Sequence, residues 1–438
     1  MFTPGIKQIA EDLNTSDSVA VGATTGYVVF FGIGPLILAP LSETFGRRKL
    51  YLICFAIFTS LQIPTALAPN IVTLLAMRTI AGFPGSIGLA NGGGTLSDMF
   101  GPEERAGIFG WYLLGPLLGT FSHPLIFLRL HSLLTDIGPT LGPALGGLVV
   151  EKLGWRWVFW ILTIICAVTT LAGYFSLEES YVPALLTERK REYERMNDRT
   201  KYSFEGEDQR PLKSKLATSL SRPFKILSHP IVLVMSVYQA LIFSTTYSLY
   251  TNMEDIYAGK YGFSITKVGL LYLFPGGGML VAVWFLVPRI DTIYNKLAQR
   301  NGGKAVPEYR LPLANIGAIL IPISLFWFAW TVDYHLHWSI SIVAAFFYGI
   351  GQVTILNATQ NYYIDFFEKY AASAIAAGSV FRSIIGGTIP LFAPGLFDSL
   401  GYGWGVSVFA FVSVVLGPAP LLFYLYGGKI RERFVVNL

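Results

Sequence analysis

Residues 39–49 read Ala39-Pro40-Leu41-Ser42-Glu43-Thr44-Phe45-Gly46-Arg47-Arg48-Lys49. One acid, a turn glycine and three consecutive cations stand between two apolar runs, 18–40 and 50–69. A bilayer-crossing helix takes about 20 mostly apolar residues, so this stretch reads as a short connection between two crossings. Working outward, further spans fall near 71–93, 107–150, 155–175, 228–251, 266–287, 311–331, 338–360, 370–393 and 404–426, about eleven in all. Composition agrees. Of 438 residues, 53% are hydrophobic and 13% charged, against roughly 25% charged in an ordinary soluble domain. That excludes a soluble enzyme, a disordered chain and a nucleic-acid binder. The two cysteines, Cys54 and Cys166, sit inside apolar runs and imply neither a disulfide framework nor a metal site.

The placement of the basic residues sets the orientation. One set of connections holds Arg47, Arg48, Lys49 and Arg105, eleven basic residues between 176 and 227, five between 288 and 310, then Lys369, Lys429, Arg431 and Arg433. The opposite set holds Lys7, Lys152, Arg156, Lys260 and Lys267. The first set is expected in the cytoplasm. The C-terminus then lies inside and, with an odd number of spans, the N-terminus outside. Asn14-Thr15-Ser16 is a glycosylation sequon on that outer side. The long basic segment 176–227 separates two halves that echo one another, Ser97-Asp98-Met99-Phe100 in the first and Ile364-Asp365-Phe366-Phe367 in the second. Paired halves are a known plan of secondary transporters.

The acid–glycine–cation spacing of 39–49 resembles the loop between spans 2 and 3 of the major facilitator superfamily, with Thr44 where a cation is common. The resemblance implies an all-α polytopic membrane protein of two six-helix halves, and on that family's count the first visible span is span 2. It also implies that Glu43, Arg47 and Asp98 form a charge cluster locking one conformational state. A breakable ion pair at a helix end is a physically sound switch. Arg78 lies inside span 4, where a cation needs a cavity or a partner; it resembles the superfamily's span-4 arginine linked to proton coupling. Gly138, Gly142, Pro143, Gly146 and Gly147 resemble the antiporter signature of span 5. Glycines there let helices approach closely, and the proline bends the helix. Arg222-Pro-Phe, Tyr261-Gly-Phe-Ser, Pro307-Glu-Tyr-Arg-Leu-Pro312, Tyr370-Ala-Ala-Ser-Ala and Arg382-Ser-Ile-Ile-Gly resemble the fungal twelve-span drug:proton antiporters. Those proteins export diverse, mostly apolar or cationic compounds.

Two features depart from that pattern. Span 1 has no counterpart, and 107–150 is too long for one crossing; two would fit by length, but a second would invert everything after it and place the eleven basic residues of 176–227 outside, against the charge bias. Removing 119–137 restores a continuous family-like span. Those nineteen residues carry His123, Pro124, Arg129, His131 and Asp136, poor guests for a lipid-facing helix. They are expected to be a retained intron, with Met1 a downstream start; a re-entrant loop is the alternative. The expected units are 1–175, holding spans 2–6, then the cytoplasmic segment 176–227, then 228–438, holding spans 7–12.

The expected cavity residues are Tyr27, Asn91, Tyr238, Gln239, Tyr247, Asn357, Gln360, Asn361 and Arg382. Trp155, Trp157, Trp160 and Trp338 read as interfacial belt residues. No catalytic or phosphate-binding motif is present. The expected protein is a monomeric proton-coupled exporter, with a proton gradient in place of a cofactor, no metal, and substrate, protons and lipid as its partners. An importer, a transporter-like receptor or a non-functional chain are the alternatives. The plasma membrane is preferred over the vacuole.

Overall fold

The computed structural model describes residues 5–99, 138–196, 202–204, 211–367 and 370–434. All regular structure among them is helical. A short helix α1 (Ile6–Asp12) precedes α2 (Asp17–Phe45). Ser16 caps α2 by accepting the Val19 amide, and Asp17 complements the positive helix end. The helix stops at Gly46, whose φ of +94° suits glycine. α3 (Arg47–Ala66) begins at the very next residue. The connection read between the two spans is therefore a one-residue corner, and its acid lies inside the last turn of α2.

α4 (Ile71–Gly85), capped by Asn70 accepting the Thr73 amide at 2.9 Å, continues after a short break into α5 (Ile87–Met99). α6 (Gly138–Leu153) and α7 (Trp155–Ser176) meet at another glycine corner, Gly154. α8 (Val182–Met196) and α9 (Leu212–Leu227) lie in the basic segment. Then follow α10 (Pro230–Thr251), α11 (Ile265–Leu271), α12 (Leu273–Val281) and α13 (Val287–Arg300). Pro288 has no amide hydrogen for the preceding turn, and the helix widens to a π-turn at Ala282–Leu286 just before it. α14 (Ala314–Asp333), α15 (Trp338–Phe366), α16 (Ala371–Leu416) and α17 (Ala419–Arg433) complete the chain. α16 turns at Gly401, with φ +73°.

Among the described residues, nine helical stretches are long and apolar enough to cross a membrane. The last of them, Ser373–Arg433, contains the Gly401 corner and so accounts for two crossings. With α6 as the described part of span 5, every expected span is present as helix. The anomalous stretch 119–137 lies outside the described residues.

Apolar burial is concentrated in separate clusters. One gathers Ile9, Leu74, Trp155 and Phe159 from the helices before residue 176. The largest gathers Tyr238, Ile321, Phe328 and Ile355 from those after 228. Within the second set, α12 and α15 touch backbone to backbone: a Cβ on Gly278 would lie 1.9 Å from the Phe346 carbonyl, and one on Gly349 2.1 Å from that of Pro275. Small residues allow such approach without a side chain between.

Trp155 corrects an expectation. It is not a belt residue but is 2% exposed. Its indole N–H donates to Asp12 at 2.8 Å, and its amide donates to Gln8 at 3.0 Å. α1 thus folds back onto the start of α7.

Candidate functional site

At the basic face, the Gly46 corner gathers charges from four segments. Arg47 Nε donates to Asp98 at 3.4 Å, joining α3 to α5. Glu43 faces elsewhere: its carboxylate accepts from Arg222 of α9 at 3.2 Å and from the Ser373 hydroxyl of α16 at 3.5 Å. The expected cluster is therefore an Arg47–Asp98 pair beside a Glu43–Arg222 pair, and Glu43 reaches the helices beyond the basic segment. Glu179, which sequence reasoning did not single out, accepts the Arg47 and Arg48 amides at 2.8 and 3.1 Å. It caps α3 and meets the positive end of that helix. A Cβ on Gly46 would lie 2.4 Å from Glu179 Oε2, so the corner must be glycine on two grounds. Each arginine lies over an aromatic ring, Arg47 at 5.2 Å from Tyr181 and Arg222 at 4.0 Å from Tyr370. Burial first, then the Glu43 charge, pushes the Tyr181 hydroxyl up to about 12, so that ring stays neutral beneath Arg47.

The second set of helices holds a counterpart at the same face. Arg310 is fully buried and donates to Asp365 at 2.6 Å and Asp291 at 2.5 Å, with Tyr294 under its guanidinium at 3.8 Å. Burial works against its charge, but the two carboxylates outweigh it and hold Arg310 above its ordinary value. Asp98 and Asp365, the acids of the sequence echo, each hold an arginine at a helix end. Arg310 itself was legible only as part of the stretch Pro307–Pro312 that resembles the fungal antiporters, without a role.

At the opposite face Lys7 of α1 stands 2.9 Å from Asp255 and 3.9 Å from Glu254, just past the end of α10. A cavity of about 230 Å³ opens beside it between Asp17, Asn252 and Leu391. Burial, opposed by Lys7 and aided by Asp255, raises Glu254 to about 7. The two sets of helices are thus bridged by the Lys7 ion pairs at this face and by the Ser373–Glu43 hydrogen bond at the basic face. Asn14 is exposed in the turn before α2.

Between the faces, α2 runs against both sets. Gly82 of α4 abuts the Tyr27 carbonyl, and Gly32 abuts Ser383 of α16. Arg78 is buried on α4 with its guanidinium 4.6 Å from the Tyr27 ring centre and 5.5 Å from that of Phe159. Arg382 is buried on α16 over Phe243, at 4.6 Å. Tyr247 of α10 feels the charge of both arginines. Tyr27, Arg78, Tyr247 and Arg382 therefore form one group across the two sets. Tyr238, Gln239, Asn357, Gln360 and Asn361 are all buried in the second set, and Asn91 in the first. Each has at least one buried polar atom with no hydrogen-bond partner among the described residues. Asn361 also donates to the Asn357 carbonyl at 2.9 Å. Sequence reasoning missed Tyr348 and Gln352, which meet the Thr246 hydroxyl at 3.0 and 3.3 Å; both looked like ordinary residues of an apolar run. The backbones of Gly138, Gly142 and Pro143 lie in α6, and Gly146 and Gly147 are buried. A Cβ on Gly147 would lie 3.1 Å from the Ile265 carbonyl of α11, and Glu151 accepts the Thr266 amide at 2.9 Å. The glycine-rich helix is therefore seated on the other set.

The sequence profile of the Major Facilitator Superfamily matches residues 1–390. The chain belongs to the major facilitator superfamily. Among curated superfamily members it is 38% identical to the MFS transporter cpaT of Aspergillus oryzae, over 97% of this chain and 82% of that protein. It is 37% identical to the efflux pump radE of Floropilus chiversii, over 100% of this chain and 79% of that one. It is also 37% identical to the MFS-type efflux pump MFS2 of Trichophyton rubrum, over 99% and 70%. A solved superfamily structure, the proton:xylose symporter XylE bound to 6-bromo-6-deoxy-D-glucose, superposes with a TM-score of 0.64 at 14% identity, covering 97% of this chain and 92% of that one. That likeness establishes the fold. The protein is a multi-pass membrane protein of a transporter superfamily.

Proposed function

We propose that this protein is a secondary active exporter that moves small, largely apolar organic compounds by alternating access, coupled to the proton gradient. The supporting observation is Glu43 at the basic, proposed cytoplasmic face: its ion pair with Arg222 ties α2 to the connecting segment, and its hydrogen bond from Ser373 is a breakable polar bridge to the helices of 228–438. Lys7–Asp255 forms a matching bridge at the other face. Rocking of one set against the other would break one bridge while the other holds. Arg47 and Asp98 are the proposed partners in the switch, and Arg78 the proposed coupling residue. Gly138, Gly142, Pro143, Gly146 and Gly147 are the proposed antiporter motif, and Gly147 seats α6 against α11.

The direction of transport is supported by the efflux pumps among the relatives. Among the described residues, the carboxylates on the spans lie near helix ends or corners or, for Asp291, in the ion pair with Arg310, so none of them is offered to a permanently cationic compound. Apolar cargo is the part of the sequence-level expectation that the described interior favours. The test is Nile red efflux from cells expressing the full chain. Energy-dependent efflux that stops with a protonophore and is lost in Glu43→Gln is expected. Flux indifferent to the protonophore would overturn the coupling.

A further inference from the structure

We propose that the interior carries a receptor for an organic carboxylate on an apolar body, with Arg382 as its anchor. This rests on the transport reading above and names the substrate class of the same site.

Arg382 lies on a membrane-spanning helix and is 3% exposed. No described residue accepts a hydrogen bond from it and no described carboxylate pairs with it; its Nε is wholly buried and unpartnered. The buried arginines at the basic face differ in this respect. Arg47, Arg222 and Arg310 each hold a named carboxylate. A guanidinium taken out of water without a counter-ion is costly, and such residues in membrane helices mark substrate or ion pathways. The planar fork of arginine matches a carboxylate in two hydrogen bonds.

The surroundings suit the rest of such a molecule. The guanidinium lies 4.6 Å from the Phe243 ring centre; the Tyr247 ring stands 5.9 Å from that of Phe243, and Tyr363 abuts Gly378, one turn before Arg382. These rings offer aromatic walls to an apolar body. Gly386 abuts Phe243. Gln239 lies one turn before Phe243 on α10, and Arg382 one turn before Gly386 on α16. Gln239 Nε2 is a buried donor without a partner, a second group able to meet a carboxylate oxygen. The place is also right for a transported molecule. Ser383 presses on Gly32 of α2, and Tyr247 feels Arg78 as well as Arg382. The anchor therefore sits at the seam between the two sets of helices and would face whichever side opens.

The probes are 2-naphthoate and 2-naphthamide, alike in their ring system and differing in charge. Binding to the purified full chain in detergent is read by titration calorimetry at pH 7. Naphthoate is expected to bind at least tenfold more tightly than naphthamide. Arg382→Gln is expected to bring the two together by weakening naphthoate alone. Arg382→Lys keeps the charge without the fork and is expected to give an intermediate ratio; it replaces the glutamine variant if that one does not fold. Equal binding of the two probes by the unaltered chain, no binding of either, or a naphthoate preference that survives Arg382→Gln would each overturn the proposal. Nile red flux separates this from the transport reading. Gradient-driven flux without a carboxylate preference sinks only the receptor, and a carboxylate preference without flux sinks only the transporter.

Discussion

Glu43 and Arg222 lie 3.2 Å apart although 179 residues separate them in the chain, and the pair is buried on both sides, with 8% and 11% of the side chains exposed. It joins the end of α2 to α9, which leads into α10.

Removing one member of a buried pair strands the other, at a cost of about 3–5 kcal/mol. Arg222→Gln should therefore loosen the basic face more than it loosens the rest of the molecule. Ser373, which is buried and touches Glu43, reports this directly. A cysteine placed there should react with a water-soluble maleimide several-fold faster in the Arg222→Gln background. An unchanged rate would show that the pair does not hold the face shut.

Arg310 holds two carboxylates, Asp291 and Asp365, and is itself fully buried. Arg310→Met should destabilise by about 3–5 kcal/mol, seen as a lowered melting temperature in detergent. Arg47→Met should cost less, because its partner Asp98 is 20% exposed and can be hydrated. The order of the two melting temperatures is the test.

Gly46→Ala places a Cβ at φ +94° and 2.4 Å from Glu179 Oε2. The left-handed backbone alone costs about 1–2 kcal/mol for a residue with a Cβ. Displacing Glu179 also leaves the Arg47 and Arg48 amides uncapped. The substitution should lower the melting temperature further than Glu179→Gln, which keeps the corner and weakens only the cap.

Glu254 has its folded value raised from 4.5 to about 7. The folded protein then binds its proton more readily than the unfolded chain. The associated stability is complete below pH 4.5 and is lost as pH rises through about 7. His229 works in the opposite sense, since burial and then Arg431 lower it from 6.5 to about 4. The unaltered protein therefore shows the sum of two opposed slopes. Glu254→Gln should remove one of them: the difference in melting temperature between variant and parent should grow in the variant's favour from pH 5 to pH 7.5. A constant difference would mean that Glu254 titrates normally.

The spans were legible because each is a long apolar run bounded by charges or glycine, a pattern that local sequence carries in full. The Arg47–Asp98 pair was legible through the family resemblance of 39–49, which implies a cluster of Glu43, Arg47 and Asp98. The partner of Glu43 was not. Eleven basic residues fall between 176 and 227; Arg222-Pro-Phe stood out among them only as a resemblance, and the return of α9 to α2 is what makes Arg222 the partner of Glu43. Trp155 failed for the same reason. Beside Arg156 and Trp157 it has the look of an interfacial aromatic, and the acid that claims its indole, Asp12, is 143 residues away. The isolation of Arg382 is likewise a statement about neighbours from other helices, which a single run of sequence does not contain.

The basic segment that joins the two sets of helices is moored at both its ends to one short stretch, 43–48: Glu179 near its start holds the Arg47 and Arg48 amides, and Arg222 near its end holds Glu43. Its two ends are thus kept beside each other by side chains, whatever the length of chain between them. Covalent continuity there is then dispensable for assembly. The two pieces of a gene divided near codon 205 should, when expressed together, find each other in the membrane and co-purify, whereas pieces divided at the Gly46 corner, where the mooring itself is cut, should not.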